Sequence, residues 1–515
     1  MKKQSLAAAV AIVLVAADPA AAQSQSPEAF RDAADAFIGE TLEMMPAVPG
    51  VAITVVRGDS AIYRRGFGRA DVEAGAPMTP ETPIYIASNT KSFTALAAAL
   101  LDARGEIDLD APLTDYLRRD WFPPEIDPDA VTLRHLLTHT SGLSNDPLVF
   151  RTAYSGEHTP LVQRQLLGET VARGDAPLGT FDYTNTGYLI AALAMEEATG
   201  VAWQDLLTRE IFEPLGMTET SARRSELRPD VVPAAPYRAV GPAERMRLPL
   251  EKSDRTLHAA GGIVSTLRDL GRWLAAGMHL GRISAGAVLP PDVVDATHAL
   301  AAPAAGTIGP LEREGYGFGW IVGAYGGEEL IYHVGNFPGT SSFISFMPEH
   351  DLGVTVFVNE DEIGTQLALM LATYVYDWWM NEGRAIDQLT GFRSGLAGRI
   401  EAAAPPPAAA TPGHERIRPL VGAYHSDAYG TLYVSGTDRG ELRFRIGDRT
   451  GLAASYEAGV ASVAFVPGRA DTWTFELEGD HAVRVSYGDW GSFQRLTPAP
   501  RRRAGDASNI QRSDS

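Results

Sequence analysis

The 515-residue chain predicts a mixed α/β domain followed by a smaller all-β domain, a barrel or sandwich. Three observations predict it. Strand patterns stand at both ends of a long first region with a helical stretch between them, so one sheet must be completed by distant segments. The segment Glu401 to Thr411, with Pro405-Pro406-Pro407 in an Ala-rich run, then reads as a semi-rigid linker. Beyond it, residues 416 to 497 carry short runs of β-formers between Gly and Asp turns.

The first 22 residues read as an export signal. Lys2 and Lys3 give a positive start, Leu6 to Ala17 is apolar, and Ala20-Ala21-Ala22 is a small-residue cleavage pattern before Gln23. The apolar stretch is short for a membrane span, and no later segment offers about 18 uninterrupted apolar residues. A periplasmic or secreted protein is expected, with a retained N-terminal anchor as the alternative. Val51 to Val56 and Ala61 to Gly66 read as strands. Ser88 to Ala103 reads as a helix, with Phe93, Leu96, Ala97, Leu100 and Leu101 as its apolar stripe and Gly105 as its stop. Residues 106 to about 310 read as largely helical, with Thr266 to Asp269 a capping box before Trp273. From Leu330 the pattern returns to strands. Ser341 to Phe346 and Gly353 to Val358 form a hairpin, and a helix runs through Leu367 to Trp379. In the last domain, Gly430 to Val434, Leu442 to Ile446 and Trp473 to Leu477 are strands. The polar tail 498–515, with Arg501-Arg502-Arg503, reads as disordered.

There is no Cys, so neither disulfides nor thiolate metal sites hold the fold. A formal net charge of −20 argues against non-specific nucleic-acid binding.

The chain has only four lysines, Lys2, Lys3, Lys91 and Lys252, among 44 basic residues. Arg stays protonated in a protein, whereas a desolvated Lys can give up its proton and act as a base. Lys91 stands three residues after Ser88, one helical turn away, so the two side chains can meet. The helix start would also stabilise negative charge at Ser88. A neutral Lys91 that accepts the Ser88 proton makes an activated nucleophile for acyl transfer. In isolation, a capping serine followed by a solvated lysine explains the pair equally well.

Two further groups have the right chemistry. In Tyr183-Thr184-Asn185, residues two apart point the same way if the segment is extended. Tyr183, with a pKa depressed by a neighbouring ammonium, can shuttle a proton, and Asn185 can bind a substrate carbonyl and Lys91. His333-Val334-Gly335 ends a strand from Leu330. There Gly335 admits a substrate backbone, and His333 offers a donor or partial positive charge. The Asn336 N–H can join that of Ser88 in an oxyanion hole. A buried turn tyrosine and a half-buried strand histidine are the plain alternatives.

Other signals carry less. His135 and His139 are four apart, as zinc ligands can be, but no Glu base stands beside His135. No Gly-x-Ser-x-Gly elbow occurs. Gly315 to Gly319 lacks the third spaced glycine of a dinucleotide loop. No metal or cofactor is expected.

Ser-x-x-Lys, Tyr-x-Asn and His-x-Gly, in that order, resemble the serine β-lactamase and penicillin-binding-protein superfamily. The likeness is to its class C-like branch of D-aminopeptidases, D-Ala-D-Ala carboxypeptidases and related esterases. Leu133 to Leu143 and Ala260 to Thr266 look like segments of that branch. The resemblance covers about residues 28 to 385. Residues 386–415 are then the linker, and 416–497 are similar to the small β-domain often appended there, beginning at Val421-Gly422-Ala423-Tyr424.

The resemblance implies a β-lactamase-like antiparallel sheet flanked by helices, an all-α lobe with the cleft between them, and a C-terminal small β-barrel. It makes Ser88 the nucleophile, Lys91 its base and Tyr183 the proton shuttle and deacylation base. Asn185, His333, Gly335 and Asn336 become substrate contacts. One departure stands out: Val334 replaces the hydroxyl residue common at the third motif, and His333 is mostly neutral at pH 7. Without that carboxylate grip, ester or amide hydrolysis is expected, on small esters or on peptides with D-residues, linearised cyclic peptides among them. The alternatives are a penicillin-binding or sensor-type module that acylates without turnover, a weak β-lactamase, or a metal hydrolase using His135 and His139.

Overall fold

The computed structural model describes residues 26–283, 286–380, 386–466, 469–488 and 491–496. The expected signal (1–22) and tail (498–515) lie outside them.

The main sheet has nine antiparallel strands. In chain order they are β1 (Gly50–Arg57), β2 (Ser60–Asp71), β3 (Ala76–Pro77), β4 (Ala302–Ile308), β5 (Leu311–Tyr316), β6 (Ile321–Tyr325), β7 (Glu328–Phe337), β8 (Thr340–Met347) and β9 (Leu352–Val358). In space they run β4-β5-β6-β7-β8-β9-β1-β2-β3. Val51 pairs with Val358 and Arg57 with Leu352, so distant ends of the first domain do complete one sheet. The expected hairpin of Ser341 to Phe346 with Gly353 to Val358 is present as β8 and β9.

Side-chain alternation splits this sheet between two cores. On β1, Ala52 and Val56 face one core, while Val51, Ile53 and Val55 face the other. The second core is closed by α1 (Pro27–Met44) and a later helix at Gly364–Met380. The first is closed by α2 (Thr90–Ala103), α3 (Thr186–Thr199), α4 (Leu267–Met278) and the short helices of the lobe. The Gly364–Met380 helix is α5. In α2 the expected stripe is buried, but so are Thr90, Lys91, Ser92, Thr94 and Ala95. A helix buried all round is the centre of a core, not its rim.

Two expectations need correction. The stretch from 106 to about 310 is less helical than expected, and the sheet resumes at Ala302 rather than near Leu330. β4 is an edge strand with mostly exposed side chains, so it lacks the apolar alternation that marks a half-buried strand. The linker expected over 386–415 begins with a helix, α6 (Ile386–Glu401). Leu389, Leu396 and Ile400 recur at helical spacing and bury against α5, which outweighs the segment's glycines. Only residues 402–413 run without regular structure.

The C-terminal domain is a closed eight-stranded barrel, β10 (Gly422–Ser426), β11 (Gly430–Gly436), β12 (Leu442–Ile446), β13 (Arg449–Glu457), β14 (Val460–Val466), β15 (Arg469–Glu478), β16 (His481–Tyr487) and β17 (Gly491–Arg495). Tyr424 opposite Arg495 closes it, leaving no edge to pair with another chain. Phe444, Trp473, Phe475 and Phe493 fill its interior.

Candidate active site

Ser88 lies in a single 3-10 turn, Ala87–Asn89, just before α2, not within the helix as expected. Residues three apart eclipse in such a turn, which brings Lys91 beneath Ser88. Ala87 has φ 47°, a conformation that costs a non-glycine residue about 1–3 kcal/mol and persists only where surroundings impose it. The surroundings do so from two sides. Asn89 Nδ2 donates to Ser342 Oγ on β8 (2.8 Å), and Ser342 Oγ donates to Ile86 O (2.8 Å). Thr90 Oγ1 accepts from Gly262 N (2.9 Å) and Ile263 N (3.1 Å).

Lys91 Nζ has three partners. Ser88 Oγ is at 3.1 Å, Asn185 Oδ1 at 2.8 Å and Ala260 O at 2.8 Å. Asn185 Oδ1 and Ala260 O only accept, so they take two N–H bonds of the amine. A neutral amine then turns its lone pair to Ser88 and accepts the hydroxyl proton. Burial supports that state: Lys91 is fully buried and its pKa is driven well below the ordinary 10.5 by desolvation. The rings of Tyr183 and Tyr188 lie 4.8 and 5.6 Å from Nζ, where their faces stabilise an ammonium when one forms.

Asn185 precedes the first turn of α3. Tyr183 interacts with Ser88 through its hydroxyl. The expected depression of its pKa does not occur. Burial of the phenol end raises it, with Ser88 opposing, and a neutral Lys91 supplies no charge to lower it. The residue as a whole is 44% exposed, although its hydroxyl end is enclosed. Tyr183 is thus a phenol at neutral pH, set up to donate a proton before it accepts one.

His333 is close to Tyr183, with ring centroids 6.1 Å apart, but it offers no charge. Its Nδ1–H donates to Val334 O (2.8 Å), so Nε2 accepts from Tyr316 Oη (3.0 Å). Burial, and Lys91 once it is protonated at low pH, push its pKa down to about 3. The expected donor or partial positive charge is therefore used up inside the fold. Gly335 also has a packing reason beside the expected one. A Cβ there would clash with Ile86 O and Ser342 Oγ and lie 2.8 Å from Asn89 Nδ2. The missing side chain lets β7 press against the Ser88 turn. β6 pairs with β7 only as far as Tyr332, so among the described strands residues 333–337 have a partner on one side only. The other edge can receive an extended substrate or an oxyanion. Asn336 lies on that stretch, its side chain tied to Ser341 Oγ (3.3 Å) and Thr365 Oγ1 (3.2 Å).

Two residues of the site escaped the sequence reading. His139 was weighed as a zinc ligand with His135. Among the described residues no group of three or more His, Cys, Asp or Glu side chains is placed to hold a metal. His135 instead caps its own short helix through Thr132. His139, at φ 60° and 1% exposed, packs against Tyr183 with centroids 4.4 Å apart and the rings tilted by 40°. Its Nδ1 accepts from Thr184 N (3.3 Å) and its carbonyl from Asp182 N (2.8 Å), bracketing Tyr183. Nothing in its sequence context announces a left-handed backbone.

The second is Lys252, the other internal lysine, and it too is buried. Its Nζ donates to Ala153 O (2.6 Å) and Thr256 O (3.3 Å) and lies 3.9 Å from the Phe337 ring centroid. Phe337, Tyr85, Tyr154 and Leu250 cluster with Ala87, the residue before Ser88. The barrel meets the far side of this cluster. Arg449 lies 4.8 Å from the Tyr154 ring, Asp448 N donates to Ser155 O (2.8 Å), and Asp448 pairs with Arg255. The barrel therefore packs beside the site and buttresses its wall.

The pH dependence follows in sign. Raising pH increases the neutral fraction of Lys91, so kcat/KM should climb along one acid limb with its midpoint well below 10.5. His333, neutral down to about 3, should add no limb near 6.5. A pH–rate profile of an activated ester checks both, and a midpoint at or above 10.5 would contradict the neutral-amine geometry.

Comparison with known proteins agrees with the motif resemblance. A family model described as Beta-lactamase matches residues 34–371, which include all three motifs. Protein flp of Staphylococcus aureus (strain N315) is 25% identical over 321 residues, 61% of this chain and 60% of its own length. Unguisins hydrolase ungD' of Aspergillus campestris (strain IBT 28561) is 25% identical over 325 residues, 61% of this chain and 58% of its own. The chain thus spans about six tenths of the length of these curated relatives. Among solved structures, the octameric penicillin-binding protein homologue from Pyrococcus abyssi aligns with a TM-score of 0.57 at 22% identity, over 88% of this chain and 97% of that one. D-amino acid amidase from Ochrobactrum anthropi SV3 aligns at 0.51 and 26% identity, over 62% and 90%.

Proposed function

Because this chain belongs to the Beta-lactamase family, we propose that it is a serine hydrolase acting through an acyl-enzyme on Ser88. The observation that carries the reading is the Lys91 amine 3.1 Å from Ser88 Oγ, with two carbonyl oxygens taking its other bonds. In this mechanism Lys91 Nζ takes the Ser88 proton as Oγ attacks the substrate carbonyl carbon. The backbone N–H groups of Ser88 and Asn336 hold the oxyanion. Tyr183 passes a proton to the leaving group, which departs as an alcohol or amine. Water then attacks the acyl carbon, giving its proton to the Tyr183 phenolate, and Ser88 leaves reprotonated by the Lys91 ammonium.

The substrates are uncharged at the reacting end. His333 is neutral and Val334 has no hydroxyl, so β7 lacks a grip on a free carboxylate. The cluster of Tyr85, Leu250 and Phe337 beside Ala87 suits an apolar group. Esters, amides and peptides with D-residues fit this description. The name of one similar structure, a D-amino acid amidase, favours the amide side. Residues 1–22 favour action outside the cytoplasm.

Rapid quenching during p-nitrophenyl ester turnover, followed by peptide mass mapping, tests the reading. The acyl group is expected on Ser88. An adduct elsewhere, or steady turnover with no adduct in the burst phase, would remove it. The same protein assayed on D- and L-aminoacyl anilides and nitrocefin assigns the leaving group.

A further inference from the structure

Away from Ser88, the β1–β2 hairpin and the first half of α4 enclose a cavity of about 390 Å3. That is inside the range of small-ligand sites, roughly 300–1,000 Å3. β2 stands four strands from β7, on the order of 19 Å across the sheet, so this is not the catalytic cleft.

The cavity's polar wall is made by three arginines, Arg64 on β2 and Arg268 and Arg272 on α4, with one carboxylate, Asp59, also on the lining. Ala61, Gly271 and Ala275 leave the space between them open. The acidic groups nearby are largely occupied. Glu81 reaches Arg268 Nη2 only at 3.5 Å. Glu219 is 3.8 Å from Arg268 Nε and also serves Arg228. Asp269 turns inward to Glu219 N (2.7 Å) and Thr220 Oγ1 (2.9 Å). Asp59 pairs with His279 Nδ1 at 2.8 Å. Arg272 donates only to Leu215 O, at 3.3 Å, and forms no ion pair among the described residues. Arg64 Nε is buried with no hydrogen-bond partner among them. Burial and the charges of Arg268 and Arg272 also pull the Arg64 pKa down. A chain of net charge −20 thus holds three guanidinium groups together and leaves a buried donor unmade.

We propose that this cavity binds a phosphate group. Planar guanidinium forks pair with phosphate oxygens two at a time. A tetrahedral dianion offers acceptors to all three arginines, whereas a single carboxylate has only two oxygens. Gly271 keeps the helix face clear, since a Cβ there would sit 3.2 Å from Arg64 Nη2. The phosphate comes either from a soluble phosphate or monoester or from a lipid headgroup.

Calorimetric titration of the full chain at low ionic strength with inorganic phosphate and glycerol 1-phosphate tests the soluble source. Co-sedimentation with phosphatidylcholine vesicles, with and without phosphatidic acid, tests the lipid source. Arg268 and Arg272 are exposed, so Arg268→Ala and Arg272→Ala leave the fold intact, and Arg64→Gln keeps most of its stem. Saturable binding with Kd below about 1 mM is expected, weakened at least tenfold in the Arg268→Ala/Arg272→Ala variant and in Arg64→Gln. Ester turnover at Ser88 should stay unchanged in both. Binding only to phosphatidic-acid vesicles, lost in the same variants, assigns the headgroup. Failure of all three probes to bind, or binding that survives both variants, overturns the site.

Discussion

Lys91→Met is expected to lower kcat/KM for an activated ester by about 10³-fold or more, with the protein still folded. A positioned base contributes roughly 10²–10⁴-fold, and here the same amine also creates the nucleophile. Methionine matches the lysine stem in length and suits a fully buried position. Two stability effects oppose each other. Asn185 Oδ1 and Ala260 O lose their donor, at a cost of about 1–3 kcal/mol each. Against that, the chain no longer has to desolvate an amine that is charged in the unfolded state. The unfolding midpoint should therefore move far less than the rate. Lys91→Arg should be equally inactive, because a guanidinium cannot give up its proton, but it should also fold poorly, since it carries a permanent charge into a closed core. Far-UV unfolding curves beside ester kinetics separate the two variants. Turnover of Lys91→Met within tenfold of the natural chain would end the case for an amine base.

The parts of this protein legible in advance were those written as periodicity or as scarcity. The α2 stripe and the barrel strands repeat at 3.6 or 2 residues and bury what they repeat, while β1 is a continuous apolar run buried on both faces. Lys91 stood out because the chain otherwise spends its basic positions on arginine, and the fold brings Ser88, Asn185 and Tyr183 to it. What stayed hidden is set by tertiary surroundings. β4 lies at the sheet edge, where exposed side chains erase the alternation. The direction of the Tyr183 shift depends on whether Lys91 is charged, and only burial decides that. The His333 ring is committed by Tyr316, seventeen residues away, through a contact no local pattern encodes. Lys252 shared Lys91's rarity, yet its role needs the barrel: Tyr154 has both Lys252 and Arg449 near its ring, and those three residues come from widely separated segments.

Gly335→Ala is expected to cut kcat about 10²-fold for every substrate, including the smallest. The added methyl would meet Ile86 O and Ser342 Oγ, and neither can yield alone, because both belong to the network that imposes the Ala87 conformation. Either β7 retreats from the Ser88 turn or the turn shifts. A displacement of about 1 Å at a reacting group costs on the order of 10² in rate. Overpacking of this kind also costs about 1–3 kcal/mol of stability, visible as a lower denaturant midpoint. The alternative reason for a glycine here, room for a substrate backbone, predicts something else. In that case bulky peptide substrates would suffer through KM, while p-nitrophenyl acetate, which has no backbone to lay along β7, would react normally. Assaying both substrates decides between them. Unimpaired hydrolysis of the acetate by Gly335→Ala would mean that the close packing of β7 on Ile86 and Ser342 does not hold the nucleophile in place.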